Sequence, residues 1–168
     1  MNWKYLLDAN IFIQAKNLHY GLDFCPAFWS WLVTQNNMGI VGSLGGVRGE
    51  LLDGEDNLSE WVKSEGKNLF TDVDEPAIQE FSSVQTWLSD QNYADAEIRD
   101  FFDVADFQLV AYALAHDCTV VTHEAFEGGA IKKIKIPDVC EGLGIKCILP
   151  YKMLRDEDAR FVLGKTNP

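Results

Sequence analysis

Tyr5-Leu6-Leu7-Asp8-Ala9-Asn10-Ile11-Phe12-Ile13 is the stretch on which the reading of the whole chain turns. Its apolar run is short, ends at Asp8, and resumes at once with Ile11-Phe12-Ile13. A run of that length, bounded in that way, reads as a buried strand with Asp8 leaving its C-terminal end. A carboxylate in apolar surroundings costs several kcal/mol unless it is paired, hydrogen-bonded or bound to a metal. In open parallel α/β sheets, the carboxyl ends of the strands are where ligands and metals bind. The rest of the sequence is therefore read for carboxylates that converge on Asp8.

The chain has 168 residues, 47% of them apolar, with five Trp, which suits one domain with a substantial core rather than disorder. No apolar stretch approaches the roughly 20 residues of a membrane span. Asp8 and Asn10 interrupt any signal-peptide core after Met1-Asn2-Trp3-Lys4, so a cytoplasmic location is expected. Cys25, Cys118, Cys140 and Cys147 form no CxxC pair, and the three histidines are scattered, so a structural zinc site is not expected. The formal net charge is −12, but it is unevenly placed. Residues 51–103 carry 14 acids against Lys63, Lys67 and Arg99, whereas the remainder carries 12 acids against 11 bases. A polyanionic substrate is thus not excluded, because the acidity belongs to one segment.

Working outward, Ile11 to Asn17 reads as a short helix and Phe24 to Asn37, with Pro26 near its start, as a second one rich in aromatics. Gly39 to Gly42 reads as a strand, and Ser43 as a cap for a helix carrying Val47, Glu50 and Leu51, weakened by Gly45, Gly46 and Gly49. The middle segment places Leu58, Trp61 and Val62, then Ile78, Phe81, Val84 and Leu88, at helical spacing with acidic outer faces. Val104 to Leu114 is apolar almost all round and must be buried. Cys118 to Thr122 is a β-branched strand, and the helix–strand step before it indicates a parallel sheet. Lys133 to Ile136 reads as an extended piece, Pro137 to Leu143 as a helix closed by Gly144, Ile145 to Leu149 as a last strand, and Tyr151 to Arg155 as a closing turn or helix.

Four acids fall at element ends: Asp8, Glu50, Asp106 and Glu124. Carboxylates gathered at one sheet edge repel each other unless a divalent cation sits between them, and hard oxygen donors suit one or two Mg²⁺ or Mn²⁺ ions. Asn10 and Thr122 are placed to orient Asp8 by hydrogen bonds. Asp103 rivals Asp106, since residues three apart share a helix face. His123 reads as a bystander, and His116 as a partner of its own helix C-terminus.

The Asp8 stretch, Val47 to Glu50, Ala105-Asp106-Phe107-Gln108-Leu109-Val110-Ala111-Tyr112-Ala113, and Thr119-Val120-Val121-Thr122-His123-Glu124 together resemble the PIN domain. More narrowly the pattern is similar to the DUF4411 branch of PIN-like proteins, through Phe28-Trp29-Ser30-Trp31-Leu32 and Lys135-Ile136-Pro137-Asp138-Val139-Cys140-Glu141. The resemblance implies an α/β fold of three layers, α/β/α, with a central parallel sheet of about four to five strands. It makes residues 1–168 a single domain with an acidic helical segment at about 51–103. It also implies a metal-dependent ribonuclease, in many members the toxin half of a toxin–antitoxin pair, with acids at Asp8, Glu50, Asp106 and Glu124. At the fourth position many members have Asp or Asn, so Glu124 departs from the pattern.

The expected chemistry is in-line attack of an activated water on an RNA phosphodiester, leaving a 3′-hydroxyl and a 5′-phosphate. Lys16, Arg48, Lys132, Lys133 and Lys135 are candidates for contacts to the RNA backbone. Expected partners are RNA, an antitoxin protein and a second copy in a homodimer, with no membrane. The alternatives are a catalytically silent PIN-like interaction module, or an Asp-based phosphatase or receiver-type domain. The last is weakened by Asn10 two residues after Asp8 and by the lack of an acidic pair before Asp8.

Overall fold

The computed structural model describes residues 2–126, 128 and 133–164. Strand β1 (Tyr5–Leu7) is buried along its length, with Leu6 and Leu7 fully inaccessible. Asp8 follows in extended conformation and caps α1 (Ala9–Gln14), its Oδ1 accepting the Ala9 N–H at 2.7 Å. A π-helical turn, Ala15–His19, continues that helix, and α2 (Pro26–Asn37) returns the chain to β2 (Val41–Leu44). Ser43 is not the helix cap its position suggests. It lies in β2 and donates its hydroxyl to the Leu7 carbonyl at 2.6 Å, while Leu44 takes the cap position of α3 (Gly45–Asp53). Of the glycines that weaken this helix in isolation, Gly46 serves packing, since a Cβ there would stand 3.1 Å from that of Ala105, whereas Gly49 faces open space.

The acidic middle contains α4 (Asn57–Ser64), a 3₁₀ turn (Lys67–Leu69), the short strand β3 (Phe70–Thr71), α5 (Glu75–Gln79), α6 (Phe81–Ser89) and α7 (Asp95–Asp103). β3 has no signature in the sequence, because two residues are too few to show a period. The buried side chains of α4, α5 and α6, among them Leu58, Trp61, Ala77, Val84 and Leu88, join the same hydrophobic cluster as β1.

Helix α8 (Ala105–His116) is buried from Leu109 to Ala113 and packs on α5, α6, α7, α9, β2 and β4, which explains the absence of a polar face. Then come β4 (Thr119–Val121), α9 (Ile136–Leu143), β5 (Cys147–Ile148) and α10 (Pro150–Asp156). The expected extended piece at Lys133 to Ile136 is not a strand: Ile136 already belongs to α9. Gly144 closes that helix at φ +72°, a conformation open to glycine at little cost.

The sheet is parallel throughout, in the order β3-β2-β1-β4-β5, between helical layers. The chain leaves β1 toward β2 on one side and returns to β4 on the other, so the switch point lies between β1 and β4. That is where a crevice opens at the carboxyl ends of the strands. Leu7 is in register with Val121, which brings Asp8 level with Thr122. Among the described residues no helix is long and apolar enough to cross a membrane.

Candidate functional site

Asp8 is 5% exposed and held from two sides. Besides the Ala9 N–H on Oδ1, its Oδ2 accepts the Thr122 hydroxyl at 2.8 Å. Thr122 Oγ1 in turn accepts the Asn10 amide at 2.9 Å and the Glu124 N–H at 3.1 Å, and Asn10 Oδ1 accepts the His123 N–H at 3.0 Å. Asn10 therefore does not bond Asp8 directly. It works through Thr122, because its side chain spans the switch point from α1 to the loop after β4.

Helix α8 brings Asp106 to the same place from its first turn. Asp103 ends α7, the backbone is extended at Val104, and α8 starts at Ala105, so the two acids lie on different helices and share no face. Asp103 is exposed, whereas Asp106 is half-buried. Glu50 is solvent-exposed on α3, yet its carboxylate accepts the Ala105 N–H, which ties α3 to the start of α8. Glu50 and Asp106 line one cleft of about 280 Å³ together with Lys133 and two acids of α7, Glu97 and Asp100. Sequence reasoning passed over Glu97 and Asp100, although their i, i+3 spacing put them on one side of a helix. Glu124 is half-buried, and its Oε2 accepts the Ile136 N–H at the start of α9 at 2.8 Å.

The charges are strained. Desolvation first, then Asp106 and Glu124, push Asp8 up to about 7 against its ordinary 3.8, despite the opposing Thr122 and Ala9 hydrogen bonds. Desolvation, then Glu124 and Glu50, push Asp106 up to about 6, with Lys133 pulling the other way. Burial also raises Glu50, with Asp53 adding to it. Asp106 is thus the hub, coupled to Asp8, Glu124 and Glu50. Among the described residues no group of three or more His, Cys, Asp or Glu side chains is placed to hold a metal ion together. The arrangement is an open one of oxygen donors, and Asp8 uses two of its roughly four acceptor positions internally. Desolvated, mutually repelling carboxylates fit a hard divalent cation that keeps part of its water shell, as Mg²⁺ does with one or two carboxylates.

The candidate basic residues divide. Lys133 lines the cleft. Lys16 is already paired with Asp56 at 2.5 Å, because the π-helical turn aims it at the cap of α4. Arg48 and Lys135 are half-buried on α3 and at the cap of α9, outside the residues that line the cleft. Lys132 lies outside the described residues. His116 does not serve its helix end; its Nε2 stands 2.9 Å from Asp74, the cap of α5. His123 stacks on His19, and burial, then His19, hold it below the ordinary imidazole value.

With this geometry in view, the family model of DUF4411, a domain of unknown function, matches residues 5–161. The chain belongs to the DUF4411 family. No curated protein matches the sequence. Among solved structures, the DUF4411 chain is similar to VapBC2 from Rickettsia felis bound to a DNA fragment from their promoter. That match has 15% identity and a TM-score of 0.54, and covers 86% of this chain and 97% of the other. It is also similar to FitAB bound to IR36 DNA fragment, at 14% identity and a TM-score of 0.53 over 88% and 95%. At such identity the likeness is one of fold, and the DUF4411 fold is PIN-like, with five parallel strands.

Proposed function

We propose that this DUF4411 chain is a metal-dependent endoribonuclease and the toxin of a toxin–antitoxin pair. The observation that carries the reading is the convergence of buried Asp8 and half-buried Asp106 at the β1/β4 switch point, where Asp106 and Glu124 add to the desolvation that raises Asp8, and Glu124 and Glu50 add to that which raises Asp106. Perturbed carboxylates in a cleft mark a functional site more often than a structural one. When bound, Mg²⁺ or Mn²⁺ supplies charge stabilisation for a phosphodiester and a water of lowered pKa. Asp8 and Asp106 are the residues proposed to hold it, with Glu50 and Glu124 at the margins. Thr122 fixes the Asp8 carboxylate, Asn10 fixes Thr122 and the His123 loop, and Lys133 offers a cation to an RNA phosphate across the cleft. Partnership with an antitoxin is supported by the fold shared with FitAB and VapBC2. The acids of α7 beside the cleft suit a basic segment of such a partner.

One observation favours a second reading, a catalytically silent module of the same fold: Glu50 and Glu124 are both engaged by backbone N–H groups. Single-stranded RNA incubated with wild type, Asp8→Asn, Asp106→Asn and Asp103→Asn, in Mn²⁺ or Mg²⁺ with and without EDTA, separates the two. The nuclease reading expects cleavage by wild type and Asp103→Asn, and its loss in the other two and in EDTA. Equal cleavage by all four proteins indicates a contaminant and sinks it, and no cleavage by any favours the silent module.

A further inference from the structure

A row of aromatic rings leads away from the acidic cleft and has no part in the chemistry above. His123, whose backbone is held by Asn10, stacks on His19 with centroids 5.4 Å apart and planes at 24°. Tyr151 stands edge-on to both, 5.8 Å from each, with its hydroxyl 3.2 Å from His19 Nε2. Tyr20 lies 6.1 Å beyond His19 and meets Phe161 at 5.9 Å. Tyr20, Tyr151, Phe161 and Arg155 line a separate cavity of about 200 Å³.

The backbone that carries His19 is itself unusual. The π-helical turn Ala15–His19 continues the helix that Asp8 caps, so one continuous segment joins the carboxylate to the rings. π-helical turns are rare and collect at functional sites. Packing accounts for Tyr20 against Phe28 and for Phe28 against Trp29, at centroid distances of 4.5 and 5.4 Å. It does not account for three half-exposed rings with polar edges, His19, His123 and Tyr151, or for an exposed guanidinium beside them.

We propose that this row is a nucleobase-binding platform for single-stranded RNA. Bases next to the scissile phosphodiester stack along His123 and His19, and one base enters the cavity between Tyr20, Tyr151 and Phe161. Stacking on aromatic faces tolerates any base, and the phenols and imidazoles add hydrogen bonds to base edges. Arg155 then meets a backbone phosphate or stacks on the base. The inference rests on the nuclease reading for the identity of the polymer.

The test is fluorescence anisotropy of a labelled single-stranded RNA in EDTA, where cleavage is not expected. Tyr151→Ala and His19→Ala should each weaken binding about ten-fold, the loss of one stacked base, with the salt dependence unchanged. Arg155→Gln should lower the slope of log affinity against log salt by about one contact. Abasic sites in the RNA, measured on wild type, should reproduce the Tyr151→Ala loss without any change to the protein's folding. Equal affinity for abasic and intact RNA, equal affinity of wild type and Tyr151→Ala, or no binding by wild type overturns the platform. Ring-dependent binding by a protein that fails to cut RNA in Mn²⁺ upholds the platform and refutes the nuclease.

Discussion

Asp8→Asn should make the metal-free protein more stable at alkaline pH and slightly less stable at acid pH. Asp8 is 95% buried, and its pKa stands at about 7 against an ordinary 3.8. The folded state therefore holds this proton more tightly than the unfolded chain does, and stability falls as pH rises from about 4 to about 7. Three units correspond to about 4 kcal/mol, fully lost above pH 7. Asn keeps the Ala9 N–H bond but presents an amide to the Thr122 hydroxyl, which already accepts from Asn10 and Glu124. That mismatch costs about 1 kcal/mol at every pH. The variant should thus lie about 1 kcal/mol below wild type at pH 4 and about 3 kcal/mol above it at pH 8. Urea unfolding in EDTA, followed by the fluorescence of buried Trp3 and Trp29, measures the difference directly. Millimolar Mn²⁺ at pH 8 should restore wild type and leave the variant unmoved. A difference that stays constant across this range, or that changes in the opposite direction, refutes the placement of Asp8 as a strained anion.

Thr122→Val should cost about 2 kcal/mol, because it strips Asp8, Asn10 and Glu124 of one shared partner, and should raise the Asp8 pKa further. An unchanged urea midpoint would count against that network. Glu124→Gln retains an oxygen for the Ile136 N–H, so RNA cleavage should fall less than in Asp106→Asn when initial rates are compared at saturating Mn²⁺. Equal losses would place Glu124 on a level with Asp106. Gly42→Ala should destabilise by about 3 kcal/mol, since the new Cβ would sit 2.1 Å from the ring of buried Trp3, and thermal melting would show no shift if the ring can move aside.

The neighbouring hydrogen-bond network lowers the cost of burying Asp8. Two donors offset part of the desolvation, and protonation removes the rest. The same network links the acids to the ring row, because Asn10 accepts from His123 while donating to Thr122. Perturbation of Asn10 should therefore be felt both at Asp8 and at the His123–His19 stack.

Local chemistry was legible in the sequence wherever a single element carried it. The apolar run before Asp8, the all-round apolar helix around Leu109 to Ala113, the β-branched strand before Thr122, and the proline and glycine that bracket Pro137 to Gly144 each declare themselves by period or by backbone preference. So did the acids at element ends, because a carboxylate beside a buried run is costly wherever the chain goes. What tertiary structure alone decided is which of them meet and through what. Ser43 lies in β2 with its hydroxyl on the Leu7 carbonyl, β3 pairs along the edge of β2, and Asp103 parts from Asp106 because the chain breaks helix at Val104. His19, His123 and Tyr151 come together from three separate elements across more than a hundred residues, a juxtaposition with no periodicity to announce it. Sequence patterns report the solvent each residue prefers, whereas convergence depends on strand order, and the order β3-β2-β1-β4-β5 put Asp8 beside Thr122.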